Sequence, residues 1–300
     1  MADALLIVNP SAGGGGLGWE RLRDQLRSRW PDLEGVVTLS KQHAEDLARA
    51  AAAAGTGTVI VLGGDGTLND VVNGIAAVPG ALARTVLGVL PGGTGNDLAG
   101  TLGLRTSVEE AASLLTRAEA RPMDLAMLDD RIFTNVSAGG LFAEASEAVT
   151  PEAKSLAGRL AYVVAGSRAL LDHQDVTLEL VAATPDGPVV WEGEVAMFAV
   201  CNANTAGGGQ PLAPYARIDD GWLDAFVVQD PGPIGLAKVL LAIPGGTHLD
   251  DDRVVGFRAS ELQLRFARPT HVNVDGEVTM REMARYRVLP SAVRILMPQT

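Results

Sequence analysis

Three glycine-rich segments, residues 9–16, 63–67 and 91–95, each follow a short apolar run and precede a helix-like one. The runs 5–8, 59–62 and 86–90 are continuous and apolar, as buried parallel strands are. Glycine lets the chain turn tightly and removes the Cβ that would hold a ligand away from the backbone. The helix behind each turn offers unpaired N–H groups and the positive end of its dipole, so an anion is stabilised there without a basic side chain. One such loop is as often geometry as function. Three of them at the carboxyl ends of successive strands, the edge where open α/β sheets bind ligands, point to phosphate. The loops also carry Asn9, Ser11, Asp65, Thr67, Asn69, Thr94, Asn96 and Asp97, polar side chains that turn geometry alone does not require.

Two common nucleotide signatures are missing. No G-x-x-x-x-G-K-[ST] run is present, which excludes a Walker-type NTPase. The glycines at 13–16 and 18 give only partial G-x-G-x-x-G matches, with no acidic ribose partner after a second strand, so a Rossmann dehydrogenase is disfavoured. Cys201 is the single cysteine, which rules out an internal disulfide, and its apolar setting at 196–201 reads as a buried strand. His43, His173, His248 and His271 lack zinc-ligand spacing. A net charge of −12 argues against nucleic acid as a partner and against docking on an anionic membrane by bulk attraction.

The pattern changes near Arg121-Pro122-Met123-Asp124. Before it strand and helix alternate; after it come alternating strand-like runs at 176–181, 189–195, 223–228, 262–266 and 285–289, separated by turn signals at 185–188, 230–233 and 244–246. The expected architecture is a doubly wound α/β nucleotide-binding domain over 1–122 and a mostly antiparallel β-sandwich over 123–300, with the last run, 293–297, returning to the first domain. No spanning helix is expected, because the longest charge-free stretch, 195–216, is broken by asparagines, glycines and prolines. The apolar run 156–171 reads as a core helix ahead of a membrane-surface one. No basic region follows Met1, so no signal peptide is read and a cytoplasmic enzyme is expected.

Asn9-Pro10-Ser11-Ala12-Gly13, then Gly63-Gly64-Asp65-Gly66-Thr67-Leu68-Asn69-Asp70, then Pro91-Gly92-Gly93-Thr94-Gly95-Asn96-Asp97 resemble the diacylglycerol kinase catalytic family, which includes bacterial lipid kinases and sphingosine kinases. The likeness continues through residues 135–140, 214–221 and Asn273-Val274-Asp275-Gly276-Glu277 and covers nearly the whole chain. The G-G-D-G-T run alone is shared with NAD kinases and phosphofructokinases. The P-G-G-T-G-N-D run and the late V-D-G-E turn separate the lipid kinases from them.

The resemblance implies specific roles. Asn9, Pro10, Ser11, Ala12, Gly13, Thr38, Gly64, Asp65, Gly66, Thr67, Leu68, Asn69, Asp70 and Thr94 are implied to contact ATP. Asp65 and Asp97 are implied to organise Mg2+ and water around the phosphates, the hard-cation chemistry that phosphoryl transfer needs. A second, structural Mg2+ is implied on the Asp220 carboxylate with the carbonyls of Arg217 and Trp222; spacing alone reads that segment as an ordinary Asp-Gly turn. The base that takes the acceptor's proton is ranked Glu277, then Asp275, then Asp65. Some bacterial relatives carry a lysine after the first loop where this chain has Gly14; if that lysine bridges the acidic pair, its role here falls to another cation, for which Arg21 is a candidate, or is left unfilled. The reading is an ATP-dependent kinase of diacylglycerol or a related long-chain alcohol. It would act on its lipid substrate transiently at the inner membrane surface, and the resemblance also suggests a homodimer. An NAD kinase-like or other small-molecule kinase and a non-catalytic nucleotide-binding protein are the alternatives.

Overall fold

The computed structural model describes residues 3–12, 18–147, 175–229 and 232–299. Gly13, Gly14, the run 156–171 and the first half of the 230–233 turn lie outside the described residues. The chain forms two compact units, one running to Leu125 and resuming at Pro290, the other spanning Ala126–Leu289.

The first unit is a parallel sheet built from β1 (Ala4–Val8), β2 (Glu34–Val37), β3 (Thr58–Gly63) and β4 (Val86–Pro91). All six residues of β3 are buried, which is why its sequence is apolar throughout rather than alternating. The spatial order is β4-β3-β1-β2, so the chain reverses its direction of travel across the sheet between β1 and β3. Such a reversal opens a crevice at the carboxyl ends of the two strands. Helix α1 (Trp19–Leu26) connects β1 to β2, and the next two connections, α2 (Lys41–Ala53) and α3 (Asp65–Ala76), pack on each other. Two short helices, α4 (Asp97–Thr101) and α5 (Val108–Leu115), follow β4.

The chain passes to the second unit along β5 (Glu119–Leu128) and comes back along β13 (Glu277–Met297). On its return, Arg294 and Ile295 pair in parallel with Val86 and Leu87 of β4. The buried Asp124 fixes this entry by accepting the Ser291 N–H at 2.6 Å, where the backbone takes φ 49°.

The second unit is antiparallel, made of β6 (Arg131–Phe133), β7 (Val136–Gly140), β8 (Val176–Thr184), β9 (Gly187–Cys201), β10 (Leu223–Gln229), β11 (Val254–Ala259), β12 (Glu261–Val274) and the first part of β13, with helices α6 (Leu141–Glu147) and α7 (Gly232–Ala242). Strands β9 and β12 each change partner along their length. The early part of each pairs with β8 and the late part with β7. Their side chains therefore close one core, where Phe198 stacks on Phe266 at 5.6 Å and Phe133 meets Tyr286 edge-on at 6.2 Å. The Phe198 ring lies over Gly139, its cross-strand partner, in the space a Cβ would fill. Cys201 is buried, and that burial, with Asp224 and Asp275 adding to it, pushes its thiol well above the ordinary value. Among the described residues no helix is long and apolar enough to cross a membrane.

Helices α2 and α3 touch through Gly74, where an added Cβ would stand 2.2 Å from the Glu45 carbonyl oxygen. Two effects compete in Gly74→Ala. A mid-helix alanine gains about 1 kcal/mol in propensity, while forcing a methyl into packed backbone costs about 1–3 kcal/mol or more. The backbone atom cannot swing aside, so the clash wins. Gly74→Ala is expected to lower the urea midpoint without changing the slope of the transition.

Candidate functional site

The crevice at the β1/β3 reversal is built by backbone pairing first. The Asn9 N–H bonds the Leu62 carbonyl at 2.9 Å and the Thr38 N–H bonds Val8 at 2.8 Å, which brings the ends of three strands into line. Asn9 then crosses to α3, its Nδ2 donating to Thr67 Oγ1 at 2.8 Å, while its Oδ1 accepts the Ser11 N–H at 2.9 Å. The result is a cleft of about 200 Å³ lined by Asn9, Pro10, Ser11, Thr38, Thr67 and Asp70 among the expected residues. Leu39, Ser40, Lys41 and Ala44 complete its wall. Ser40 is the N-cap of α2 and accepts the His43 N–H at 3.1 Å, so the first turn of that helix, with Lys41, borders the cleft. The Ser40 cap is legible in sequence; that it faces the first loop is not, since the two are brought together only by strand order.

Leu68 and Asn69, also expected at the ligand, turn elsewhere. Leu68 is buried in the core, and Asn69 is buried with its Oδ1 accepting the Asn73 side chain at 3.3 Å. At helical pitch Thr67 and Asp70 share one face and Leu68 points away from it.

The third loop packs closely on both of the others, on the Ala12 methyl of the first and backbone to backbone on the second. A Cβ on Gly92 would lie 2.6 Å from the Ala12 methyl, and one on Gly93 would lie 2.4 Å from Gly64 Cα. Asn96 holds the third loop in shape. Its Oδ1 accepts the Gly93 N–H at 2.8 Å, its Nδ2 donates to the Gly93 carbonyl at 2.7 Å, and its own backbone is left-handed at φ 52°. Thr94 is exposed at the tip.

Asp65 joins the second loop to the third. Its two carboxylate oxygens accept the N–H groups of Asp97 at 3.0 Å and Leu98 at 3.1 Å, capping the start of α4. Asp97 is buried beside it, and the guanidinium of Arg105 lies 3.8 Å from Asp97 Oδ1. Arg105 reaches there by crossing Gly100, where any Cβ would come within 2.9 Å of its Nη2. The cation at the acidic pair is therefore Arg105; Arg21, the candidate substitute, sits exposed in the first turn of α1. Two carboxylates beside a backbone cradle too tight for a Cβ suit a phosphate accompanied by a hard cation.

The second-unit turn is held more firmly than its sequence suggests. Asp275 (φ 44°) and Gly276 (φ 95°) are both left-handed, which makes Val274–Glu277 a type I′ hairpin between β12 and β13. The Asp275 carboxylate accepts N–H bonds from Thr134 at 2.7 Å, Asn135 at 3.1 Å and Val136 at 2.9 Å, and the Thr134 hydroxyl at 3.1 Å. Four donors fill the roughly four acceptor positions a carboxylate has. Below it, Asn273 Oδ1 accepts the Gly276 N–H at 2.8 Å, and Ser137 Oγ bonds both the Asn273 carbonyl and Tyr286 Oη at 3.0 Å. Asp275, ranked second as a base from the sequence, thus has its lone pairs committed to holding the turn. Glu277, the first residue of β13, is exposed at the turn's end.

The segment 217–224 departs from the expected metal set. Asp220 Oδ1 accepts the Trp222 N–H at 3.2 Å and Oδ2 is ion-paired with Arg258. Asp219 pairs with Arg217 at 3.0 Å, and Arg258 Nε lies 3.9 Å from Asp224 Oδ2. Burial pushes Asp224 up to about 6, with Arg258 opposing and Asp220 adding to the shift. Among the described residues no cluster of three or more His, Cys, Asp or Glu could hold a metal ion. The Asp220 carboxylate, which the resemblance assigns to a divalent cation with the carbonyls of Arg217 and Trp222, is here ion-paired with an internal guanidinium.

Comparison with known proteins identifies the family. Residues 3–128 match the diacylglycerol kinase catalytic domain, and residues 134–297 match the YegS C-terminal NAD kinase beta sandwich-like domain. The diacylglycerol kinase of Bacillus subtilis (strain 168) is 30% identical over 80% of this chain and 78% of its own length. A protein of Pseudomonas aeruginosa (strain UCBPP-PA14) named "Probable lipid kinase YegS-like" is 32% identical over 87% of this chain and 83% of its own. A crystal structure from Bacillus anthracis str. Sterne superimposes over 98% of this chain and 94% of that one, with a TM-score of 0.82 and 27% identity. The chain belongs to the diacylglycerol kinase catalytic family of lipid kinases.

The two turn carboxylates should separate in a stability measurement. Asp275→Ala strands three N–H groups and is expected to cost about 2–4 kcal/mol. Glu277→Gln, on an exposed residue, should stay within about 0.5 kcal/mol of wild type. Chemical denaturation of both variants distinguishes them.

Proposed function

We propose that this chain transfers the γ-phosphoryl group of ATP to the hydroxyl of diacylglycerol or a related long-chain lipid alcohol. The observation that carries the reading is the packing of three glycine loops on one another, with the first loop and Thr67 of the second lining a cleft together with Thr38 and Asp70, and Asp65 joining the second loop to the third at Asp97. Main-chain N–H groups at such a strand-to-helix edge favour phosphate even on a chain of net charge −12, because distant charge is screened beyond about 8 Å at physiological salt. Asp65 and Asp97 are the residues that would hold Mg2+ and its water. When bound, that ion would neutralise charge on the phosphate oxygens.

The remaining work falls to positioning and one proton. Asp275 fixes the turn, and Glu277 at its end is the group that takes the proton from the lipid hydroxyl. Arg105, 3.8 Å from the buried Asp97, partly compensates its charge. The acceptor enters from a bilayer, so the protein does not have to extract it into water; contact at the membrane surface is sufficient. On this reading the enzyme works from the cytoplasm at the inner membrane surface, and a homodimer is its expected assembly.

Two variants test this reading. Glu277→Gln should reduce kcat by about 10²–10⁴-fold with little change in KM for ATP, read with labelled ATP, magnesium and a lipid panel that includes NAD as a control acceptor. Undiminished turnover would remove Glu277 from the chemistry, and a phosphorylated NAD product would favour the small-molecule kinase instead. Gly66 is exposed and a Cβ there would meet nothing within 4 Å, so Gly66→Ala should leave stability intact. It should nonetheless weaken ATP binding about tenfold or more, near 1.4 kcal/mol, because the methyl stands where phosphate approaches the backbone. Unchanged affinity by calorimetry would place the phosphate elsewhere.

A further inference from the structure

The acidic segment that follows residue 217 is held by an arginine reaching in from the neighbouring strand. Asp224 and Arg258 are direct cross-strand partners in the β10–β11 ladder, so the sheet register itself delivers the guanidinium to this spot. From there Arg258 ion-pairs with Asp220, lies 3.9 Å from Asp224 and sits over the Trp222 ring at 5.9 Å. The chain turns through Gly221 at φ 76°, and the Trp222 N–H closes the turn onto the other oxygen of Asp220. One side chain thereby meets three residues of a single segment: two carboxylates and the aromatic ring between them.

We infer that Arg258 is the structural cation of this turn and that the second unit folds without a divalent metal there. The charges support this. A carboxylate as sheltered as Asp220 or Asp224 needs a partner when the chain folds. Arg258 supplies a charge that is permanent, since guanidinium does not lose its proton in proteins. It also supplies planar donors and a flat face for Trp222, which a hydrated ion lacks. The remaining acid of the segment, Asp219, is matched to Arg217 at 3.0 Å, so each of the three carboxylates has an arginine within 4 Å. This assignment stands independently of the kinase reading, because it concerns how the turn is held.

The test is thermal unfolding of nucleotide-free protein in EDTA and in millimolar magnesium or calcium. Wild type should show the same midpoint in all three. Arg258→Met should lower the midpoint by at least about 2 °C in EDTA, and Arg258→Lys, which keeps the charge, should fall between them. Should Arg258→Met fail to fold, the wild-type comparison and Arg258→Lys still decide the matter. A wild-type midpoint that drops on chelation, or an Arg258→Met midpoint equal to wild type, would overturn the proposal. Kinase activity is not part of the readout, so a failure here leaves the catalytic reading untouched.

Discussion

Backbone lying against backbone, Gly64 on Gly93, is the contact on which the first unit's function rests. A side chain at either position would part the second and third loops. Asp65 could then no longer cap α4, and Asp97 would lose the place where Arg105 meets it. The contact is available because β3 and β4 are adjacent and in register, Gly63 opposite Pro91, so both loops leave the sheet at one level. The glycines are thus required by proximity between loops rather than by unusual torsion angles, and that proximity follows from sheet register.

Much of this was legible in the sequence. The three apolar runs fold as the strands Ala4–Val8, Thr58–Gly63 and Val86–Pro91, and the strand-like runs of the second half all fall inside observed strands. Local pattern suffices there, because burial on both faces or on one face writes itself into each residue. What stayed hidden is non-local. Leu68 and Asn69 sit inside a motif that binds as a string, yet helical pitch turns them from the cleft. Nothing between the turn signals around 230 and 245 announces α7, whose Gly232–Ala242 run lacks a clear polar face. The assignment of Asp275 as a base candidate rested on the family resemblance and on its chemistry. Its donors lie 139 to 141 residues away, beyond the reach of any motif.

Arginine recurs where acidic groups need compensation. Arg105 stands by Asp97 at the first-unit loops, and Arg258 stands by Asp220 and Asp224 in the second unit. Neither is adjacent in sequence to the acid it serves. One is placed by crossing Gly100 and the other by a strand register, so a reader of motifs alone would look for lysine or metal and miss both.

The Asp275 turn has a consequence for synthesis. Its carboxylate binds Thr134, Asn135 and Val136, which leave the ribosome some 140 residues earlier. Pairings so distant in the chain form late, after the loop between them has closed. The first unit waits longer still: residues from Pro290 on complete it, with Arg294 and Ile295 laid against β4, so neither unit is whole until β13 has been made.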